Sequence, residues 1–494
     1  MQLRGKSSKK RESGILLHIS SLPCDYGIGS FGKEAYRFID FLKKSHQRYW
    51  QILPLCPIGE GNSPYKSTSA FAGEILYIDI QFLVQDGYLD SDMLPENYDS
   101  DFTDYETAAR IKLPLLRAVA DNFDVNDSDY LRFIHNNDDW LNDYSVFMAI
   151  REKNGGACFT EFEDGLKYRL PGAIKEFVRE NKETVRFYKI TQYLFYKQYY
   201  ELKKYAEKKG IKIIGDIPFY VALDSADVWQ EPDVFRLGRD MTPTLVAGVP
   251  PDIFSEDGQL WGNPIYDWDR MKKDNYKWWR RRLLHNSQMY DVIRIDHFRA
   301  FADYYTIPYG SENAKSGTWE KGVGMNFWSS MRDITENLKI IAEDLGGETP
   351  EVEQLIEDTG FPNMKILVFA FNTDLQNKFL PKNYNNNCVC YTGTHDNETV
   401  RGWLDHISKK EKIIFSRTVP NSGYDSDVYN LISFGMRSKA DTVIVPMQDY
   451  LCLDNSCRMN SPGTEKGNWI WRMKITDYDD NIASKIKQLS RGRN

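Results

Sequence analysis

The stretch at residues 292–300 reads VIRIDHFRA and joins an apolar segment to a group of charges. Apart from Arg294, the segment from Val292 to Ile295 is apolar and β-branched, which is typical of a strand buried in a parallel sheet. Asp296 then falls at the carboxyl end of this strand, the end that carries the chemistry in α/β barrels. Arg294 lies two residues earlier on the same side, where its charge would keep Asp296 ionised. A salt bridge at a strand end is the alternative interpretation.

Composition indicates an ordinary globular enzyme. The chain has 494 residues, of which 41% are hydrophobic and 27% charged, as in typical globular domains. Aromatic residues reach 14%, and their rings can build a core or offer flat platforms to sugars or bases. The net charge is −8 at pH 7, and the basic block from Lys6 to Arg11 is too small to outweigh it. Nucleic acid is therefore not expected as a partner.

Cysteine usage and hydropathy predict a cytoplasmic location. The seven cysteines are scattered, and no two have CxxC spacing, so neither a zinc site nor a disulfide framework is indicated. Reduced thiols are the expected state in the cytosol. No apolar run approaches the length of a membrane span, and the N-terminus lacks the apolar core of a signal peptide. A membrane partner is not expected, and the sequence leaves the oligomeric state open.

Short apolar segments recur along the chain and predict strands. Besides the stretch at 292–300, they lie at Gly14–His18, Tyr49–Leu53, Ile211–Pro218, Leu338–Asp344, Met364–Phe369, Cys388–Thr392 and Thr442–Pro446. Helical or inserted segments separate them. Eight parallel strands alternating with helices close a (β/α)8 barrel, also called a TIM barrel. The sequence therefore predicts this α/β fold.

Two segments interrupt the strand pattern. Residues 85–205 are polar and aromatic with helical spacing, and they predict a helical insertion subdomain after the second strand, with helices at Asp104–Phe123, Asp138–Lys153 and Lys182–Lys209. Residues 240–268 after the third strand are rich in proline and glycine, and so long a loop is typical of a functional lid. The catalytic barrel would then consist of residues 1–84 and 206–494, with the lid loop in the second part.

Three acidic residues end barrel strands at the same face. Asp296 follows the fourth strand, Glu343 the fifth and Asp396 the seventh. Carboxylates that share one site repel each other, which raises at least one pKa. Glycosidic chemistry needs this combination, because one carboxylate attacks the anomeric carbon while a protonated acid supplies the leaving oxygen with a proton. Arg294 and His395 would add hydrogen-bond donors for sugar hydroxyls.

A metal site is the rival interpretation of the same cluster. Together with the acids, His297 and His395 could bind a divalent ion. However, no HxH or HExxH spacing accompanies them, and the positive charge of Arg294 beside Asp296 disfavours a cation there. Sugar chemistry is therefore the preferred interpretation.

Longer motifs extend over nearly the whole chain in colinear order. The central ones read RIDHFR at 294–299, AEDLG at 342–346 and GTHDN at 393–397. They are joined by GILLHISSLP at 14–23, WQILP at 50–54, SPY at 63–65, GDIPFY at 215–220, DSADVW at 224–229, AGVPPDIFSEDGQLWGNPIYDW at 247–268 and RMNSPGTEKGNWIW at 458–471. Together they resemble the amylomaltases, the 4-α-glucanotransferase or disproportionating-enzyme family related to the α-amylases.

The resemblance implies a role for each matching position. Asp296 would be the nucleophile, Glu343 the general acid and base, and Asp396 a stabiliser of the transition state. Further positions would bind the substrate: Arg294 and His395 at the cleavage point, Ser63, Tyr65 and Asp216 in donor subsites, Gln259 and Trp261 on the lid, and Asn468 at donor hydroxyls. The family uses neither a metal nor an organic cofactor.

The expected function is therefore that of a 4-α-glucanotransferase. It would move segments of an α-1,4-glucan from a donor to the 4-hydroxyl of an acceptor glucose or glucan, by a retaining double displacement. Transfer would prevail over hydrolysis if the lid excludes water from the cleft. An α-amylase-type hydrolase is the main alternative. A catalytically silent glucan-binding protein is a second class, against which the intact set of acids argues.

Overall fold

The computed structural model describes residues 11–98, 100–251, 255–347, 349–374, 376–464 and 466–493. In chain order, their strands are β1 (Glu12–Leu16), β2 (Tyr49–Gln51), β3 (Lys212–Ile217), β4 (Leu245–Val249), β5 (Gln259–Pro264), β6 (Val292–Ile295), β7 (Asp303–Pro308), β8 (Thr318–Lys321), β9 (Ile340–Ala342), β10 (Asn363–Ile366), β11 (Cys388–Tyr391) and β12 (Thr442–Pro446). Eight of them close a barrel in the order β1-β2-β3-β6-β9-β10-β11-β12, and every neighbouring pair is parallel. This confirms the predicted barrel.

Helices cover the barrel and form the insertion. In chain order, those of the described residues are α1 (Lys33–Lys44), α2 (Ile80–Gln85), α3 (Tyr105–Asn122), α4 (Ser128–Asn136), α5 (Asp138–Lys153), α6 (Asp164–Lys167), α7 (Pro171–Glu180), α8 (Lys182–Lys209), α9 (Ala226–Gln230), α10 (Trp268–Lys273), α11 (Lys277–Met289), α12 (Gly324–Ser330), α13 (Arg332–Thr335), α14 (Pro350–Thr359), α15 (Val400–His406), α16 (Lys409–Thr418), α17 (Asp427–Met436), α18 (Met447–Tyr450) and α19 (Asp480–Leu489). Helix α1 shows the usual pattern, because Phe38, Ile39 and Leu42 form one buried face.

The stretch at 292–300 has the structure that its pattern predicts. Strand β6 is the fourth strand of the barrel, and all four of its residues are buried. Other strands are shorter than the apolar segments that predicted them. The segment Met364–Phe369 forms a strand only to Ile366, because residues Leu367–Phe369 turn into a 3-10 helix. Apolar pattern continues past the last ladder hydrogen bond because the chain at the barrel mouth stays buried.

The three helices predicted for the insertion are present as α3, α5 and α8, whereas the shorter α4, α6 and α7 were missed. Helix α8 packs against α1 of the barrel as well as against α3 and α5. On α3, the buried ammonium of Lys112 donates hydrogen bonds to the carbonyl oxygens of Leu76 and Ile78, at 2.6 and 3.1 Å. The insertion is therefore held tightly to the barrel, and its limits at residues 85 and 205 remain a prediction.

The prediction of one long loop at residues 240–268 was wrong in part. Strands β4 and β5 lie within it, pair antiparallel with each other, and join β7 and β8 in a four-stranded sheet of order β5-β4-β7-β8. Residues 252–254, between β4 and β5, lie outside the described residues. The prolines at 243, 250, 251 and 264 obscured the short strands, and the partner strand β7 is remote in sequence. We call β4 and β5 the lid hairpin.

Candidate active site

The predicted acids converge at the carboxyl ends of the barrel strands. Asp216 lies in β3, next to Arg294 of β6 in the parallel register. Asp296 directly follows β6, Glu343 directly follows β9, and Asp396 follows β11 after a short loop. Because all these strands run in the same direction, their carboxyl ends meet at one mouth, the position of active sites in this fold.

Arg294 organises the centre of the site. Its guanidinium donates two hydrogen bonds to Asp216, at 2.8 and 2.6 Å, and one to Oδ1 of Asp296, at 2.9 Å. The side chains of Arg294 and Asp216 are 3% and 0% exposed. Burial acts to lower the pKa of Arg294, but the charges of Asp216 and Asp296 raise it well above its ordinary value. The guanidinium thus remains charged and fixes one oxygen of Asp296.

Replacing Arg294 by Met is expected to destabilise the fold strongly. The change leaves the buried carboxylate of Asp216 without its ionic partner, and breaking a buried pair in this way costs about 3–5 kcal/mol. The free energy of unfolding in urea, followed by tryptophan fluorescence, measures the loss. The exposed pair of Arg270 and Asp274 provides the control, because Arg270→Met should cost less than about 1 kcal/mol. Equal losses for the two variants would contradict a buried ion pair.

Both carboxyl oxygens of Glu343 accept backbone hydrogen bonds. The N–H of His297 donates to Oε2 at 2.6 Å, and the N–H of Leu345 donates to Oε1 at 2.7 Å. Burial raises the pKa of Glu343 to about 8 and the charge of Asp296 adds to the rise, while Arg294 and the two N–H groups oppose it. Glu343 is therefore oriented by the backbone and still holds a proton at neutral pH.

Asp296 loses its proton before Glu343. Burial raises the pKa of Asp296 to about 6, and the positive charge of Arg294 limits the rise. The pKa of Glu343 is raised further, so Glu343 is the acid that keeps its proton to higher pH. Near pH 7 the pair thus consists of an ionised Asp296 and a protonated Glu343, the two states that glycosidic cleavage needs at once.

His297 links this pair to the lid hairpin. Its φ of 50° lies in the left-handed region, which costs a non-glycine residue free energy and is characteristic of functional sites. The imidazole packs edge-on against the indole of Trp261, with 4.9 Å between ring centroids. Burial, reinforced by Arg299, lowers the pKa of His297 to about 3, so the ring is neutral. The aromatic contact and the N–H bond to Glu343 hold this conformation.

Asp396 faces the cleft with a side chain that is 40% exposed. Its Oδ1 accepts a hydrogen bond from Nδ2 of Asn460 at 2.6 Å, and its Oδ2 lies 3.3 Å from Nε2 of His395. Partial burial acts to raise the pKa of Asp396, but His395 and Asn460 outweigh it and hold this pKa below its ordinary range. Asp396 is therefore a fixed negative charge at neutral pH.

An aromatic wall of three rings lies beside the acids. The rings of Tyr65 and His395 stack with 5.2 Å between centroids and 14° between planes, and Trp469 packs against both at 5.7 and 5.9 Å. The Tyr65 hydroxyl donates to Oδ2 of Asp216 at 2.8 Å. Two residues here, Trp469 and Asn460, were missed as site residues. The only signal for them in the sequence was their membership of the motif at 458–471.

The other predicted binding residues lie next to this cluster. Ser63 accepts the N–H of Tyr65 at 3.2 Å, and Gln259 of β5 accepts the indole N–H of Trp261 at 3.0 Å. Asn468 differs, because its amide accepts the N–H of Ser461 at 2.9 Å and donates to Thr464 at 2.9 and 3.1 Å. The structure thus places Asn468 at the site as the residue that closes the loop 461–468.

Within the parts of the chain that the structure describes, no group of three or more histidine, cysteine, aspartate or glutamate side chains is arranged to hold a metal ion. Nor do those parts contain a helix with the length and hydropathy needed to cross a membrane.

The geometry defines a class of protein. A closed (β/α)8 barrel that presents an ionised carboxylate, a protonated carboxyl group and a third acid at its mouth is an enzyme that acts on glycosidic bonds. The comparisons with known proteins then name the family. A family model described as 4-alpha-glucanotransferase matches residues 17–476, so the chain belongs to the 4-alpha-glucanotransferase family.

Individual relatives match this chain over almost their full length. The 4-alpha-glucanotransferase of Clostridium butyricum is 44% identical over 484 residues, which are 96% of this chain and 99% of that protein. The enzyme of the same name from Thermus thermophilus is 41% identical, and the match covers 97% of this chain and 98% of that protein. Among solved structures, the amylomaltase of Streptococcus agalactiae in complex with acarbose superposes with a TM-score of 0.94 at 38% identity, with 98% and 99% covered.

Proposed function

We propose that this enzyme transfers segments of α-1,4-glucan from a donor to the 4-hydroxyl of an acceptor glucose or glucan by double displacement. One arrangement carries the proposal: Arg294 holds Asp296, two backbone N–H groups hold Glu343, and burial raises the pKa of Glu343 above that of Asp296. The two relatives described above, both named 4-alpha-glucanotransferase and both more than 40% identical to this chain, favour transfer. Nothing in them supports the α-amylase-type hydrolase.

The first displacement breaks the donor bond. Arg294 holds Oδ1 of Asp296, and none of the described residues donates a hydrogen bond to Oδ2, so Oδ2 attacks the anomeric carbon. Glu343 gives its proton to the departing 4-oxygen as the bond from that oxygen to the anomeric carbon breaks. A glycosyl ester of Asp296 remains, and the shortened donor leaves with a free 4-hydroxyl.

The second displacement reverses these roles. Glu343, now a carboxylate, takes the proton of the acceptor 4-hydroxyl, whose oxygen attacks the anomeric carbon as the ester of Asp296 breaks. Two inversions retain the α-configuration. In both steps the fixed charge of Asp396 stabilises the positive charge that develops at the sugar ring. His395 and Tyr65 flank the ring from the donor side.

The lid hairpin supports transfer over hydrolysis. Trp261 of β5 contacts His297, next to the nucleophile, so an acceptor sugar that enters beneath the hairpin displaces water from Asp296.

A cytoplasmic location remains part of the proposal, supported by seven cysteines that are all free.

Incubation with maltotriose tests the proposal. Transfer gives free glucose together with maltotetraose, maltopentaose and longer products, while the total number of reducing ends stays constant. Chromatography of the products over time, with a parallel assay of reducing ends, distinguishes the outcomes. A steady rise in reducing ends without longer chains would show a hydrolase, and unchanged maltotriose that still binds to the protein would show a silent binding protein.

The pH dependence of kcat/KM for the donor is expected to be bell-shaped. Asp296 must be ionised, so activity falls as the pH drops through its pKa of about 6. Glu343 must be protonated in the first step, so activity also falls as the pH rises through its pKa of about 8. Initial rates in buffers of constant ionic strength measure both limbs. A rate that is still rising above pH 9 would contradict the assignment of the acid.

A further inference from the structure

Asn460 makes two contacts with the loop that carries Asp396. Its Nδ2 donates to Oδ1 of Asp396 at 2.6 Å, and its backbone N–H donates to the carbonyl oxygen of His395 at 3.0 Å. Asn460 follows β12, whereas Asp396 follows β11, and 64 positions separate the two residues. Asn460, in the loop after β12, thus holds both a side chain and a backbone carbonyl of the loop after β11.

Arg458 completes this connection. Its Nη2 donates to the carbonyl oxygen of Asp396, and its Nε donates to the carbonyl oxygen of Asn460, both at 2.6 Å. A single guanidinium therefore fixes the two backbones relative to each other, which sets where the amide of Asn460 points. We call Arg458, Asn460 and the loop 395–396 the latch.

Asp396 needs such a latch because its own surroundings leave it free to move. Its side chain is 40% exposed, and the other oxygen has only the longer contact of 3.3 Å to His395. An exposed carboxylate exchanges between rotamers, and a charge that stabilises a transition state is effective only when its position is fixed beforehand. The short bond from Asn460 supplies that restraint.

We propose that Asn460 is a positioning residue, which holds the carboxylate of Asp396 in place and aimed at the reacting sugar. The proposal rests on the function proposed above, in which Asp396 stabilises the transition state. It assigns Asn460 no contact with substrate. Its effect should therefore appear in kcat more than in KM.

Asn460→Asp is the informative variant because it keeps the shape of the side chain. The change replaces the donating NH2 by a carboxylate oxygen that faces Asp396. At pH 8 the two negative charges repel, and kcat with maltotriose is expected to fall about 10- to 100-fold, the loss typical when the partner that orients a functional group is removed. KM should change by less than about threefold.

The pH dependence of kcat for Asn460→Asp distinguishes a positioning role of Asn460 from a general loss of folded protein. As the pH falls toward 5.5, the introduced carboxyl gains a proton, and its O–H can again donate to Oδ1 of Asp396. The ratio of variant kcat to wild-type kcat should therefore rise as the pH falls. A ratio that is the same at every pH would overturn the proposal, because a loss of folded protein has no reason to recover on acidification.

Two more variants keep the test decisive. Asn481→Asp is the matched control, since Nδ2 of Asn481 donates to Asp479 at the surface start of α19, and its kcat ratio should stay near one at all pH values. If Asn460→Asp does not fold, Asn460→Ala removes the donor without adding charge and should lower kcat at nearly constant KM. Wild-type kcat in that variant would overturn the proposal.

Asp396→Asn distinguishes this inference from the proposed function. If Asp396→Asn retains wild-type turnover, the role of Asp396 in the proposed function is wrong, and the positioning role of Asn460 is overturned with it. If Asp396→Asn is inactive while Asn460→Asp has wild-type kcat throughout the pH range, only the positioning inference is wrong.

Discussion

Asp296→Asn is expected to lower the turnover number for transfer between maltooligosaccharides by roughly 10⁴-fold or more, because the amide cannot form the glycosyl ester on which both displacements depend. Glucan binding should persist, since Arg294 keeps its bidentate contact with Asp216. Product chromatography measures the turnover, and isothermal titration with maltoheptaose measures the binding. Retained turnover would show that another residue is the nucleophile.

The matched control for this variant is Asp274→Asn. Asp274 forms an exposed ion pair with Arg270 on α10, so this change removes a carboxylate without touching the barrel mouth. It should leave both turnover and binding near their wild-type values. The variant of Asp296 also places an amide beside Arg294, and its melting temperature shows whether the fold has survived.

Glu343→Gln is expected to lower turnover with maltotriose by about 10²- to 10⁴-fold, the usual contribution of general acid and base catalysis. The loss should depend on the leaving group. An α-maltosyl fluoride needs no proton at the departing fluoride, so the first displacement should proceed and fluoride should be released. The second displacement then lacks its base, and the glycosyl ester of Asp296 should accumulate. Intact-protein mass spectrometry would show the added sugar mass.

Azide provides the complementary readout for Glu343. Azide ion attacks without giving up a proton, so it should restore turnover of the fluoride and yield a glycosyl azide of retained configuration. Both oxygens of Glu343 accept hydrogen bonds from backbone N–H groups. In Glu343→Gln the NH2 group replaces one of these oxygens and would face an N–H donor that it cannot accept. Glu343→Ala should therefore be tested in parallel. Absence of azide rescue in both variants would contradict the role of Glu343.

The neighbouring acid offers a control for the same experiment. Asp344 accepts hydrogen bonds from Nδ2 of Asn363 at 2.8 Å and from the N–H of Met364 at 3.2 Å, so it serves the contact between the chain after β9 and β10. Asp344→Asn should lower the melting temperature. It should show neither preferential turnover of the fluoride nor rescue by azide.

The barrel was predictable because its signals are local. Each barrel strand lies in a short apolar segment of the sequence, and the acids after β6, β9 and β11 were found from where those segments end. The insertion helices longer than three turns were found for the same reason. The lid hairpin was missed, since β4 and β5 gain their order from pairing with each other and with β7, and glycine and proline obscure their local pattern.

The site was predictable only as a set of residue types. Tyr65 and Asp216 stand 151 positions apart and share a hydrogen bond, and nothing local to either residue indicates the other. Motif resemblance supplied Tyr65 and Asp216, but it did not single out Asn460 or Trp469. It also suggested that Asn468 binds sugar, which stays a prediction; in the structure the amide of Asn468 bonds to Ser461 and Thr464.

The sequence alone therefore determined the eight strands, the family and the identity of the three acids, because each depends on residue type and near spacing. Only the tertiary structure showed that Arg294 holds one oxygen of Asp296, that the surroundings raise the pKa of Glu343 above that of Asp296, and that Asn460 reaches Asp396. These properties depend on burial and on distances between distant residues. The stretch at 292–300 shows both parts: its pattern places Asp296 at a strand end, and Asp216 and Glu343 around it make it the proposed nucleophile.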